Sequence, residues 1–385
     1  MENNLLHSFV DELHELEKQG NSRELPRITQ QGNTIRQGEQ TSYNLSSNDY
    51  LDLAGDTELR EEFLQLLNKD NAFFSASSSR LLTGNHMLYA ALETQLSMMF
   101  GTENALIFNS GYHMNVGILP AICHRGTLIL ADKWVHASLI DGIRLSKAQH
   151  FRYRHGDHAH LEELLATYAS RFERIIIVTE SIFSMDGDCT DLGYLVSLKH
   201  RYANVLLYVD EAHAVGVRGI KGLGCAEEQN CIAEIDFLTG TFGKALASLG
   251  GYLVCRQAIR DYLVNKMRTL LFTTALPPVN LMWSLFVLKR LDSFTDRRQQ
   301  LQKNSILLKQ QILAKGYDCR SESHILPLII GDSKTTVLKA EDLQRKGFYV
   351  LPIRPPTVPE GTSRIRISLT AGIKTSLIHQ LSANL

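Results

Sequence analysis

The sequence predicts an α/β fold: a large domain with a mostly parallel sheet, followed by a smaller C-terminal α+β domain. Two observations carry this. From about residue 100, short β-branched runs alternate with stretches of helical period. After "TTALPPVN" the pattern changes to a long helical region and then to further strands. The expected division is an N-terminal helix and arm over 1–45, a large domain over 46–284 and a small domain over 285–385.

At the start, Leu5, Leu6, Phe9, Val10, Leu13 and Leu16 recur at helical spacing, with Asn before the run and Gly20 after it as cap signals. Five acidic residues lie in the first 17 and no apolar core of a secretion signal appears. No run approaches the ~18 apolar residues of a membrane span. A cytoplasmic protein without a membrane partner is expected. The runs "ALIF", "TLILAD", "RIIIVTE", "VLLYVD", "IDFLTGTF" and "GGYLVC" read as strands buried on both faces, with helical stretches such as Leu161 to Ala169 and Leu192 to Tyr202 between them. In such a sheet catalytic groups gather at the carboxyl ends of the strands. Towards the end, "LPLIIG", "FYVLPI" and "SRIRISL" read as strands of the small domain.

Forty basic against 41 acidic side chains give a net charge of -1. That balance supplies no electrostatic reason to expect nucleic acid as a partner. The six cysteines are scattered, with no C-x-x-C pair and no partner set at zinc spacing, which suits reduced thiols and no metal.

"YVDEAHAVGV" at 208–217 contains the DEAH letters of a helicase class. A motor of that class needs G-x-x-x-x-G-K-[ST] to hold phosphates and magnesium. The nearest stretch, "TGTFGKAL", has Ala245 after Lys244, Leu238 at the first glycine position, and lies after the acidic letters rather than before them. The helicase reading fails. Asp210 instead ends the strand "VLLYVD", and Lys244 closely follows "IDFLTGTF", so both reach one rim of the sheet. A lysine that can form an imine with an aldehyde, and a carboxylate that can pair with a pyridinium nitrogen, form a basic kit for pyridoxal 5'-phosphate (PLP). A structural ion pair between the two is the plain alternative.

These residues sit within a wider match. The chain resembles the α-oxoamine synthases, fold-type-I PLP-dependent transferases, over essentially its whole length. The resemblance rests on "LSSNDYLDLA", "SSRLLTGNH", "NSGYHMNVG", "DKWVHASLIDG", "TESIFSMDGD", "VDEAHAVGV", "GTFGKALASLGG" and "IRPPTVPEGTSRIRISLTA", in the family's order. It implies that Lys244 holds the cofactor covalently, that Asp210 pairs with its ring nitrogen, and that His213 bonds its phenolic oxygen. His136 would stack on the ring, opposite Ala212. Gly111, Tyr112 and Thr241 would serve the phosphate and Ser184 would lie near the ring oxygen. Thr273 and Thr274 would be lent by the second subunit of a homodimer with shared active sites.

The resemblance further implies substrate contacts from Arg23, Asn48, His136, Thr357 and Arg366, the last binding the amino-acid carboxylate. On the residues alone, Arg364 and Arg366 alternate with Ile365 and Ile367, so one face of that strand could simply be solvated. The basic cluster before the proline is thinned here to "SRELP". Asp52 stands where the family commonly has glycine, and "SASSSRLLTGN" replaces a glycine-rich stretch. The implied reaction is a decarboxylating condensation of an amino acid with an acyl thioester. "IRPPTVPEGTSRIR" points to L-alanine and a pimeloyl thioester, carried by coenzyme A or acyl carrier protein, ahead of glycine with acetyl-CoA. A regulator built on the same fold is expected to have lost Lys244, Asp210 or His213, and all three are present.

Overall fold

The structure, a computed structural model, describes residues 6–385. Strands are numbered in chain order. The N-terminal ones are β1 (Thr29–Gln31), β2 (Thr34–Gln37) and β3 (Gln40–Asn44). The middle of the chain forms β4 (Asn104–Phe108), β5 (Thr127–Asp132), β6 (Gln149–Tyr153), β7 (Arg174–Glu180), β8 (Val205–Asp210), β9 (Phe237–Thr241) and β10 (Gly251–Cys255). The C-terminal part adds β11 (Ile325–Gly331), β12 (Phe348–Tyr349), β13 (Pro352–Ile353) and β14 (Ser363–Ser368).

The chain groups into two compact units. The larger comprises residues 56–184 and 189–299 and is built on a seven-stranded sheet, β4-β10-β9-β8-β7-β5-β6. Neighbours from β9 through β6 are parallel, and β10 runs antiparallel to both β9 and β4. The central strands are buried nearly throughout because helices cover both faces, which explains their continuous apolar runs. β6 escapes that signal. Its Gln149, His150 and Arg152 are exposed, as an edge strand with cover on fewer sides allows. The apolar core gathers around Ile129, Ile176, Val178, Tyr208 and Leu253 of the sheet and Met114, Ile118, Leu139 and Ile143 of two helices.

The other unit takes the chain up to residue 55 together with 185–188 and 300–385. It contains the sheet β1-β2-β3-β12 and the antiparallel sheet β11-β14-β13. The arm groups with the C-terminal part because β12 adds to β3 in parallel, through Phe348↔Tyr43 and Tyr349↔Asn44. "FYVLPI" is therefore two short strands in two different sheets rather than one. The solvated face considered for "SRIRISL" is corrected: every residue of β14 is buried, with Arg364 only 3% and Arg366 only 8% exposed.

At the N-terminus a helix spans His7–Lys18 with no buried residue, and its apolar stripe of Phe9, Val10, Leu13 and Leu16 is exposed. The Asn cap signal and Leu5 lie outside the described residues. Among the described residues no helix is long and apolar enough to cross a membrane.

Candidate active site

Three neighbouring strands of the larger unit set the site. Glu180 of β7, Asp210 of β8 and Thr239 of β9 are register partners across the sheet, so their side chains leave on the same face. Asp210 is nearly buried and its carboxylate is held from two sides: Asn115 Nδ2 donates to Oδ2 at 2.8 Å, and the Ala212 amide donates to Oδ1 at 2.9 Å. Asn115 comes from the helix Gly111–Ile122 that packs over the sheet. Its own Oδ1 accepts the Tyr208 hydroxyl at 2.7 Å. A carboxylate so fixed can keep a proton on a heterocyclic nitrogen without moving to do so.

Lys244 follows β9, and its Nζ lies 2.9 Å from His213 Nε2. His213 is buried in the turn after β8, three residues beyond Asp210. The kit read from the sequence is thus brought to one rim. The near miss to a phosphate loop, "TGTFGKAL", is the strand end that delivers this lysine.

His136 opens the helix Ala137–Leu145 as its N-cap. The loop before it is anchored by the buried Asp132, which accepts the Trp134 amide at 2.8 Å and lies 2.9 Å from His155 Nδ1. The His136 amide donates to Glu180 Oε1 at 2.5 Å. His136 is exposed to solvent. The protein packed around it nevertheless lowers its pKa by desolvation, against the opposing pull of Asp210. Glu180 is pushed well above the usual carboxylate range, first by burial and then by the charge of Asp210. Both shifts favour the uncharged forms of His136 and Glu180 beside Asp210.

The helix Gly111–Ile122 also offers an anion site at its start. Ser110 Oγ takes the His113 amide at 3.1 Å, and Gly111 and Tyr112 head the helix, where partial positive charge collects. A Cβ built on Gly111 would come 3.8 Å from Thr241 Oγ1, so the helix start and the end of β9 face each other across a narrow gap. Thr241 Oγ1 accepts the Gly243 amide at 3.1 Å and donates to the Gly250 carbonyl at 2.8 Å. The Tyr112 hydroxyl bonds Asp141 at 2.6 Å, which leaves its backbone amide as the group available at the helix end.

Thr273 and Thr274 lie beside Asn109 of the same chain, whose Nδ2 donates to Thr273 Oγ1 at 3.2 Å and to the Thr274 carbonyl. Ser184 stands in the turn after β7, inside the loop closed by the bridge Ile182↔Cys189.

In the other unit, Arg366 reaches both Nη atoms to Asn48 Oδ1 at 3.3 Å and also donates to Ser368 Oγ at 2.6 Å and Tyr50 Oη at 3.3 Å. These hydrogen bonds aim the guanidinium. Arg364, by contrast, pairs with Asp186. Arg23 donates to Thr357 Oγ1 at 3.2 Å and to the carbonyls of Arg354 and Pro355, so the thinned basic cluster still delivers one arginine to Thr357. Asp52 adopts a left-handed φ of 56°, the conformation that explains a glycine at that position, and Ser77 of the serine-rich loop adopts φ 50°.

The residues fit PLP on the structure's own terms: a buried fixed carboxylate, a lysine against a histidine, an exposed imidazole, and a helix start facing the Thr241 hydroxyl. The family comparison decides the matter. A model for aminotransferase class I and II matches residues 41–385.

The chain belongs to the aminotransferase class I and II family.

Within it, the chain is 55% identical over 96% of its length to a protein of Glaesserella parasuis named "Putative 8-amino-7-oxononanoate synthase", covering 97% of that protein. It is 52% identical to a Pasteurella multocida protein of the same name, over 98% of each. Among solved structures, serine palmitoyltransferase of Sphingomonas wittichii aligns with a TM-score of 0.90 at 28% identity, over 99% of this chain and 96% of that one. A lysine-to-alanine variant of serine palmitoyltransferase from S. paucimobilis with a bound PLP–myriocin aldimine reaches 0.91 at 25% identity, over 99% and 97%. The 8-amino-7-oxononanoate synthase of Francisella tularensis gives 0.75 at 27%, over 89% and 96%. The chain is a PLP-dependent enzyme of the α-oxoamine synthase family with the fold-type-I architecture.

Sequence reasoning missed Asn115, Ser138, Glu180 and Asp132. Glu180 was findable, since it ends "RIIIVTE" as Asp210 ends "VLLYVD". Asn115 and Ser138 gave no signal beyond being polar residues in helices.

Proposed function

We propose that the protein condenses L-alanine with a pimeloyl thioester, releasing CO₂ and the thiol carrier to give 8-amino-7-oxononanoate, a step towards biotin. The observation that carries this reading is the Asp210 carboxylate clamped by Asn115 and Ala212 on the rim where Lys244 meets His213. The 51–55% identity to proteins named for this reaction supports the substrate pair. When bound, PLP supplies an electron sink for a carbanion at the amino-acid Cα.

The chain's residues then have these parts. Lys244 Nζ would hold the cofactor, and its amine is the group to take the Cα proton of L-alanine. Asp210 keeps the proton on the ring nitrogen. His213 bonds the phenolic oxygen, and Ser184 lies near it. The amides of Gly111 and Tyr112 and the hydroxyl of Thr241 receive the phosphate, with Thr273 and Thr274 serving the site of a partner subunit in a homodimer. Arg366, aimed by Asn48, takes the amino-acid carboxylate. Arg23 and Thr357 contact substrate. His136 stacks on the ring and polarises the acyl carbonyl. In the net reaction a bond forms between Cα and the acyl carbon, the C–S bond breaks, and the carboxylate departs as CO₂ with a proton returned to Cα.

The test is an absorbance spectrum of the protein with PLP, followed by L-alanine, pimeloyl-CoA and mass detection of the product. Expected are a cofactor band that Lys244→Ala abolishes, a shift with L-alanine, and the 8-amino-7-oxononanoate mass. A response to glycine and acetyl-CoA in place of alanine would overturn the substrate pair and keep the chemistry. A cofactor band that survives Lys244→Ala would overturn the site.

A further inference from the structure

A buried chain of hydrogen bonds runs from Asp210 to the ring of His136, and the chemistry of its members leaves only one arrangement of hydrogens. Asp210 accepts from the Ala212 amide on Oδ1 and, on Oδ2, from the Asn115 amide nitrogen at 2.8 Å. Asn115 Oδ1 then accepts from the Tyr208 hydroxyl at 2.7 Å. The second hydrogen of Nδ2 goes to Ser138 Oγ at 3.0 Å. Ser138 Oγ lies 2.8 Å from His136 Nδ1, and the Ser138 amide also donates to Nδ1, at 3.2 Å. An amide hydrogen and a ring hydrogen cannot share that space. Nδ1 therefore carries the lone pair and accepts from both the amide and the hydroxyl of Ser138.

We infer that Asn115 and Ser138 are positioning residues that hold His136 as the neutral tautomer with its hydrogen on Nε2, making it a hydrogen-bond donor to the acyl carbonyl rather than a base. The inference rests on the proposed condensation for its consequence and on the hydrogen-bond chain alone for its premise. It also assigns Asp210 a second task. The charge that keeps a ring nitrogen protonated orients Asn115, and through Asn115 and Ser138 it fixes the neighbouring imidazole. The lowered pKa of His136 agrees in direction, desolvation of the ring being its largest cause and the charge of Lys244 adding to it. Glu180 completes the setting by taking the His136 amide, which fixes where the helix begins. Asn115 and Ser138 are 2% and 1% exposed, so water does not compete for these bonds.

The experiment uses the full-length protein with PLP bound, labelled with ¹⁵N histidine. NMR reads which ring nitrogen of His136 carries hydrogen, with its signal identified by loss in His136→Asn. Expected is hydrogen on Nε2 only, across about pH 6 to about pH 8. Ser138→Ala deletes the hydroxyl donor and leaves the amide. It should raise the pH at which His136 gains a second proton. It should also slow condensation with pimeloyl-CoA roughly tenfold, as loss of one hydrogen bond does, while Cα-hydrogen exchange of L-alanine in D₂O keeps its rate. Hydrogen on Nδ1 in the native protein overturns the inference, as does a Ser138→Ala titration identical to the native one. An unchanged condensation rate alongside a shifted titration overturns the donor role. A protein that passes the NMR test but does not turn over pimeloyl-CoA refutes the proposed substrate pair and leaves the hydrogen-bond chain standing.

Discussion

Glu211, the second of the DEAH letters, should make folding stability depend on pH in the direction opposite to an ordinary paired carboxylate. Its side chain is fully buried. It accepts from Ser181 Oγ at 2.9 Å and from the amides of Cys225 and Ala226 at 2.9 and 2.7 Å, so it ties the segment after β8 to the start of the short helix Cys225–Glu228. Burial dominates these three bonds and raises its pKa from 4.5 to about 7, with the charge of Asp210 adding to the rise. A carboxyl whose folded pKa exceeds its unfolded one binds its proton more tightly when folded. Its stabilising share is complete below about pH 4.5 and is lost as the pH climbs through about 7. The gap of about 2.5 pH units, at about 1.4 kcal/mol each, corresponds to about 3 kcal/mol. The perturbation is Glu211→Gln, which cannot ionise. The assay is urea unfolding at fixed protein and PLP concentration over about pH 5 to about pH 8. The native protein should lose about 2.5 kcal/mol more than the variant over that range, the rest of the loss falling below about pH 5. Parallel profiles for the two proteins would refute the reasoning and show that the three donors keep Glu211 ionised throughout.

Two further outcomes follow from packing and charge. Gly142→Ala would set a Cβ 2.5 Å from the Asn115 carbonyl oxygen and 3.3 Å from Leu119. It should part the two helices, lower stability by about 1–3 kcal/mol, and weaken PLP binding by pulling Asn115 from Asp210. Urea midpoints and PLP titration check both, and native values in each would contradict the packing argument. Arg366→Lys keeps a positive charge but cannot reach Asn48, Ser368 and Tyr50 together. The KM for L-alanine should rise by roughly tenfold or more while the cofactor band is kept. An unchanged KM would exclude Arg366 as the carboxylate ligand.

What the sequence determined by itself was most of the buried strands of the sheet and the residues that follow them. A strand buried on both faces must be apolar throughout, so β5, β7 and β8 announce themselves as continuous β-branched runs. A charged residue ending such a run has to lie at the sheet edge, which made Asp210 legible. The order of the motifs did the rest, placing Lys244 after β9 and His136 after β5. What the tertiary structure decided lay in pairings between distant segments, for which local pattern carries no signal. β6 was hidden because an edge strand is free to be polar. β12 joined β3 across some 300 residues, drawing the N-terminal arm to the C-terminal part and splitting "FYVLPI". Arg364 and Arg366 read as a solvated face until their neutral and acidic partners appeared. Asn115, 95 positions from Asp210, and Ser138, 23 from Asn115, became part of the site only through folding. Hydrophobic period is a property of neighbours along the chain, whereas a hydrogen-bond network is set by which helices the packing brings together.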